Sequence, residues 1–319
     1  MAKNYIATTK PIKIKSENHA AWLENRKGGI GSSEVATILG LNPYESKHAL
    51  WLRKTGQAPA KEETFFMKAG HYLEDAVAKF FEDESGYTVI KSSADEDIYV
   101  HPEYEWARVS PDRTFWLSGT KNDEKGILEC KTTQREIDPD NIPPYWFTQI
   151  QYQLGVMGRK KGALAWLSAG RVFDYREIEF VPDYFNWIME EAEKFYTENI
   201  LGGVEPELTT VEDVLYKYPA SNPGTFVEAS DEISAAIAEL KEKKAAKTSL
   251  EGEIAELEEK VKVAFGEAEA LNYQGFTLAT WKTSKSSTKF DDKAFKLDNP
   301  DLYAKYVKEV PGTRRFLVK

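Results

Sequence analysis

The run "SPDRTFWLSGTKNDEKGILECKTT", residues 110–133, constrains this chain more than any other stretch. It holds two β-type segments on either side of the turn-prone "GTKND". Helical spacing brackets it. Upstream, "ETFFMKAGHYLEDAVAKFFEDESG" sets Leu73, Val77, Phe80 and Phe81 on one helical face and stops at Gly86. Downstream, "PPYWFTQIQYQLGVMG" repeats that spacing through Phe147, Ile150, Leu154 and Met157. A hairpin between two amphipathic helices predicts an α+β fold with a mixed sheet flanked by helices.

The hairpin also concentrates charge. If residues 112–118 and 123–129 pair antiparallel, Asp112 falls directly opposite Glu129, and such partners lie about 5 Å apart. Side chains alternate along a strand, so Glu129 and Lys131 share one face while Leu128 and Cys130 take the other. Two carboxylates at that separation repel unless a cation stands between them, and Mg²⁺ with oxygen ligands satisfies the pair. Lys131 is then placed to orient or deprotonate a water. The competing reading is an ordinary solvated ion pair on a sheet face, which contributes little.

Two neighbours add to the cluster. Glu74 lies among Leu73, Val77 and Phe81, where a carboxylate needs a partner: a metal ion, or the charge effect of a helix's first turn. Gln149, between Phe147 and Ile150, is placed either to hold Lys131 or the water through its amide, or to face solvent.

Elsewhere, "HAAWLENRKGG", "SSEVATILGL" and "SKHALWLRKTG" read as helices, with Ser32 or Ser33 as N-cap of the second and Gly56 closing the third. "YTVIKS", "DIYVHP", "ARVSPDRTFWLSG", "GALAWLSAG" and "VFDYREIEF" read as strands, and "DYFNWIMEEAEKFYTENI" as a helix. Near residue 220 the composition changes. Residues 231–265 carry Ile233, Ile237 and Leu240, then Leu250, Ile254, Leu257 and Val261, around the polar "KEKKAAKTS". That pattern suits either one long helix or a helical hairpin. The tail reads as a short β segment, a polar loop, a helix and a final strand.

Composition narrows the function classes. Of 319 residues 41% are hydrophobic and 13% aromatic, enough for a substantial core. Cys130 is the sole cysteine, which excludes a disulfide framework, a four-thiolate zinc site and a protein-only iron–sulfur cluster. With no apolar leader segment and no long apolar run, the expectation is a cytoplasmic protein with no membrane partner. The net charge of −10 is unevenly spread: +5 over 1–60, −15 over 61–213, −5 over 214–269 and +5 over 270–319. Basic ends around an acidic middle suit phosphate held at the ends and divalent metal at the centre, or simply reflect surface variation. The tail cations Lys282, Lys285, Lys289, Arg314 and Arg315 contact a DNA backbone on the first reading and solvent on the second.

Together, "NRKGGIGSSEVATILGLNPY", "GHYLEDAVAKFFEDESG", "SPDRTFW...GILECKTT" and "FTQIQYQLGV" resemble the YqaJ viral recombinase family, the lambda-exonuclease-like branch of the PD-(D/E)XK nucleases. The resemblance covers about residues 20–200. It implies a restriction-endonuclease-like core over 1–215, followed by a charged coiled-coil-like segment, 216–269, and a small basic appendage, 270–319. It further implies Mg²⁺ or Mn²⁺ held by Asp112, Glu129, Glu74 and the backbone carbonyl of Cys130, with Lys131 acting on the nucleophilic water and Gln149 assisting. Arg26 and Ser33 match the positions that hold the phosphate of a DNA end, and a guanidinium with a hydroxyl suits that task.

The implied activity is 5′→3′ digestion of linear duplex DNA, leaving 3′ single-stranded tails for an annealing protein in phage-type recombination. The setting would be a bacterial host, with a phage or prophage origin, and a ring or dimer is the implied homo-oligomer. Alternatives are an inactive DNA-end scaffold, or an endonuclease or single-strand exonuclease of the same superfamily. Arg113 departs from the family's glycine after the aspartate, adding a DNA contact or altering the turn. His71, one turn before Glu74, reads as a surface or capping residue, and "RKTGQAP" as a helix end.

Overall fold

The computed structural model describes residues 3–58, 64–90, 97–118, 124–310 and 312–319. The described elements begin with β1 (Ile12–Ile14), α1 (His19–Lys27), β2 (Ile30–Gly31), α2 (Ser32–Ile38), α3 (Lys47–Lys54) and α4 (Phe65–Ser85). Next come β3 (Thr88–Ile90), β4 (Ile98–Val100), β5 (Ala107–Val109), β6 (Arg113–Trp116) and β7 (Lys125–Thr133). Then follow α5 (Pro144–Met157), β8 (Lys161–Ser168), β9 (Val172–Glu179), α6 (Pro182–Lys194), which runs on as a π-helical turn to Leu201, and α7 (Val211–Lys217). A second compact unit, from Tyr218 onward, contains α8 (Asp231–Phe265), β10 (Ala270–Tyr273), β11 (Phe276–Thr280), α9 (Asp292–Asp298) and α10 (Pro300–Tyr306).

In the first unit a five-stranded mixed sheet runs β3-β6-β7-β8-β9, with only β7 and β8 parallel. A parallel neighbour requires a crossover, and α5 supplies it. This helix is buried nearly all round, and its Ile150, Tyr152, Leu154 and Val156 are fully buried on one side of the sheet. Gly155 makes that packing possible, because a Cβ there would lie 2.2 Å from the ring of Phe185 on α6. The other side of the sheet is covered by α4, whose Val77 and Phe81 pack on Phe115, Leu128 and Ala165. The fold is therefore α+β, with helices on both faces of a mixed sheet, as the PD-(D/E)XK resemblance implies.

The structure alters several expectations. "ARVSPDRTFWLSG" is not one strand. Pro111 interrupts it, so that β5 joins a small sheet ordered β1-β4-β5-β2 while β6 joins the main one. Strands β1 and β2 gave too little periodicity to be read. The N-cap of α2 is Gly31, not Ser32 or Ser33, and the Glu34 carboxylate accepts the Gly31 N–H at 2.8 Å. Residues 231–265 form one helix. The tail has two short helices, and no final strand occurs among its described residues. The turn at "GTKND" lies outside the described residues.

Candidate active site

The pairing of β6 with β7 sets the geometry. Arg113 stands opposite Leu128 and Thr114 opposite Ile127, the register that puts Asp112 across from Glu129. Asp112 precedes β6, just after the break at Pro111, and its Oδ2 accepts the backbone N–H of Cys130 at 2.7 Å. The side chain thus continues the ladder where the backbone stops pairing. Alternation along β7 sends Leu128 and Cys130 toward α4, whereas Glu129 and Lys131 face α5.

On that face the side chains are tied together. Lys131 Nζ donates to Glu129 Oε1 at 2.7 Å and to Gln149 Oε1 at 2.9 Å, and Gln149 Nε2 also donates to Glu129 Oε1, at 2.5 Å. The second carboxylate oxygen, Oε2, accepts from Gln153 Nε2 at 2.7 Å. Gln153 is fully buried, and its Nε2 also reaches Ser32 Oγ at 3.3 Å. Sequence reasoning missed Gln153. The available signal was its position one helical turn after Gln149, which gives α5 two amides on one edge.

Glu74 and Arg113 meet on the α4 side. Arg113, 6% exposed, donates to Glu74 Oε1 at 2.6 Å, to Asp75 Oδ1 at 2.5 Å and to the Asp112 carbonyl at 2.5 Å. Arg113 is a buried clamp between α4 and β6, its guanidinium engaged by Glu74 and Asp75 rather than exposed for the DNA contact that was one of the two expectations. His71 is exposed, as expected.

Electrostatics follow from this crowding. Burial, then Glu129 and Glu74, hold the Asp112 carboxyl well above its ordinary range. Burial likewise raises Glu74, against the lowering effect of Arg113. Burial pulls Lys131 down, but Glu129 and Asp112 outweigh it and keep the ammonium above its usual value. Among the described residues no three Asp, Glu, His or Cys side chains stand arranged around a common point as ion ligands. The reason is visible in the contacts: both oxygens of Glu129 are engaged, and Glu74 is held by Arg113.

A second cluster sits at the segment between α1 and α2. Arg26 Nη2 donates to Ser33 Oγ at 2.8 Å, and the guanidinium lies 4.9 Å from the Trp22 ring, so these two expected residues do converge. Beneath them Glu34 accepts from Lys54 at 2.7 Å and Arg53 at 3.1 Å. Burial pushes the Glu34 carboxyl up, but Lys54 and Arg53 outweigh it and hold it below its usual range. Lys54 also donates to the Gly29 carbonyl at 2.6 Å. Gly29 has no alternative, since a Cβ would lie 2.2 Å from the Trp106 carbonyl oxygen. This anchoring network was not read from sequence, because residues 34 and 54 belong to different helices.

Residues 21–160 match the YqaJ-like viral recombinase domain. The chain is 34% identical to the uncharacterized protein YqaJ of Bacillus subtilis (strain 168), an alignment that spans 98% of this chain and 99% of that one. Among solved structures it is similar to LHK-Exo, an alkaline exonuclease from Laribacter hongkongensis, with 19% identity, a TM-score of 0.46, and coverage of 57% of this chain and 93% of that chain. It is also similar to a phage-related exonuclease from Haemophilus somnus 129PT, with 12% identity, a TM-score of 0.40, and coverage of 55% and 96%. On the near full-length match to its Bacillus relative and the domain match across the site, the chain belongs to the YqaJ-like viral recombinase family.

Proposed function

We propose that this protein is a divalent-metal-dependent exonuclease that digests linear duplex DNA from the 5′ end and leaves 3′ single-stranded tails for an annealing protein. The observation that carries the reading is the register-opposed Asp112 and Glu129 with Lys131 on the Glu129 face. The chain's recombinase family points the same way.

The donor set fits Mg²⁺ or Mn²⁺. It is all oxygen, and the crowding by Glu129 and Glu74 that raises the Asp112 carboxyl is the repulsion that a cation would relieve. Asp112, Glu129, Glu74 and the Cys130 carbonyl would hold it, with Glu74 exchanging its Arg113 partner. When bound, the ion supplies Lewis-acid stabilisation of negative charge on a phosphate. Lys131, kept cationic by Glu129, orients the attacking water and balances charge on the phosphate oxygens. Gln149 holds Lys131 in place. Arg26 and Ser33 take the 5′-phosphate, which gives direction, and phosphate contacts carry no base preference. The setting we infer is the cytoplasm of a bacterial host of phage or prophage.

The test is digestion of linear duplex DNA bearing a 5′-phosphate or 5′-hydroxyl, labelled at either end, with Mg²⁺, Mn²⁺ or EDTA. Metal-dependent loss from the 5′ end, faster with phosphate and abolished by Asp112→Ala, is expected. DNA-end binding with no cleavage under any metal would instead make the protein an inactive scaffold.

A further inference from the structure

Helix α8 has 35 residues and a length of about 52 Å, and it is solvated along almost its whole surface. Its apolar residues nevertheless recur at spacings of three and four in two blocks, one on either side of the polar "KEKKAAKTS". Ile233, Ile237, Leu250, Ile254, Leu257 and Val261 are between 37% and 65% exposed. A helix with such a stripe normally buries it against another helix.

The order of the stripe identifies the other helix. From Ile233 the steps forward are four to Ile237, three to Leu240 and four to Lys244. From Val261 the steps backward are four to Leu257, three to Ile254 and four to Leu250. The same pattern therefore reads in opposite directions from the two ends. Two copies laid antiparallel place Ile233 on Val261, Ile237 on Leu257, Leu240 on Ile254 and Lys244 on Leu250, and symmetry repeats every layer.

Charge selects the same orientation. Lys241 and Lys243 of one copy flank the layers that Glu251 and Glu253 of the other flank. In a parallel, in-register pair Lys244 would meet Lys244 in the seam, with Lys241 and Lys243 crowded beside their own counterparts. Lys247 falls at the antiparallel two-fold, where Glu251 of the same helix, 3.5 Å away, offsets its charge.

We propose that α8 is a self-association surface, and that two copies of this chain pair through antiparallel α8 helices. The proposal is independent of the nuclease reading, because it involves no residue of the candidate active site.

Three measurements on the full chain test it. Light scattering after size exclusion should give a dimer, and Ile254→Asp with Leu257→Asp should give a monomer with an unchanged circular-dichroism spectrum. Ile237→Cys and Leu257→Cys chains, each prepared alone, should not cross-link under mild oxidation, whereas their mixture should form a disulfide dimer. The native chain, with only Cys130, is the control. Finally, Lys241→Glu with Lys243→Glu should weaken the dimer about tenfold or more, and adding Glu251→Lys with Glu253→Lys should restore it. A monomer at all concentrations overturns the proposal and leaves the stripe to a different protein. Cross-linking of either single-cysteine chain with itself overturns the antiparallel arrangement, as does failure of the charge swap to rescue.

Discussion

The Asp112 carboxylate accepts the backbone N–H of Cys130 at 2.7 Å, so one acid both completes the β6–β7 pairing after Pro111 and brings its charge to Glu129. Structure and chemistry compete for that side chain. An amide would satisfy the first role without the second.

Asp112→Asn should therefore separate them. The amide oxygen still accepts the Cys130 N–H, and the charge that Glu129 and Glu74 oppose is gone. In EDTA the variant should melt at or above the native temperature, while cleavage falls about a hundredfold or more. A thermal melt beside a digestion assay reads both, and a large loss of stability would contradict the geometry.

Gln153→Leu nearly preserves volume but deletes the donor to Glu129 Oε2. That carboxylate is 3% exposed, so the oxygen is left without a partner at a cost of about 1–3 kcal/mol. Urea unfolding should show this loss. Gln149→Leu should cost less, because Lys131 still donates to Oε1.

Removing the clamp should be more damaging than its exposed partner suggests. Arg113→Met leaves the Glu74 carboxylate, only 23% exposed, without its 2.6 Å guanidinium contact. We expect a loss of about 2–4 kcal/mol in metal-free buffer, with little coming from the largely exposed Asp75. Added Mg²⁺ should recover part of it if Glu74 is a ligand, as a melt with and without the ion would reveal.

Stability should fall on mild acidification through His101. Its Nε2 donates to the Tyr5 carbonyl at 2.9 Å and its Nδ1 accepts the Glu103 N–H at 3.2 Å, so the folded site holds the neutral ring. Burial depresses its folded pKa below the usual 6.5, despite the opposing effects of Tyr5 and Glu103. A depressed folded pKa means that this stability is fully present above about pH 6.5 and is lost as pH falls through the folded value. Urea midpoints at pH 7.5 and below 6.5 should differ in the native chain and differ less in His101→Gln.

Arg26→Ala should act on the end of the DNA rather than on the reaction. We expect the preference for 5′-phosphate over 5′-hydroxyl ends to shrink about tenfold or more, mainly in KM. Equal loss on both kinds of end would move Arg26 out of the phosphate contact.

Much of this was legible in the chain. Period-two alternation assigns Glu129 and Lys131 to one face and Leu128 and Cys130 to the other. The antiparallel register that puts Asp112 against Glu129 follows from the spacing of the two β runs. The stop of α4 at Gly86, which adopts φ 73°, is a local property of glycine. These features depend on neighbours within a few residues or on one strand pair, where geometry is repetitive.

What sequence could not reveal depends on distant segments meeting. Whether Arg113 faces DNA or α4 is decided only when β6 packs under Glu74, 39 positions earlier. Gln153 becomes a partner of Glu129 only because the crossover lays α5 over β7, and Glu34 is satisfied by Lys54 only because α3 returns beside α2. Residue type and spacing thus determined which groups carry charge and which face of each element they occupy. The packing of elements far apart in the chain decided which of those charges are buried, and a buried charge must find its partner wherever the fold places one.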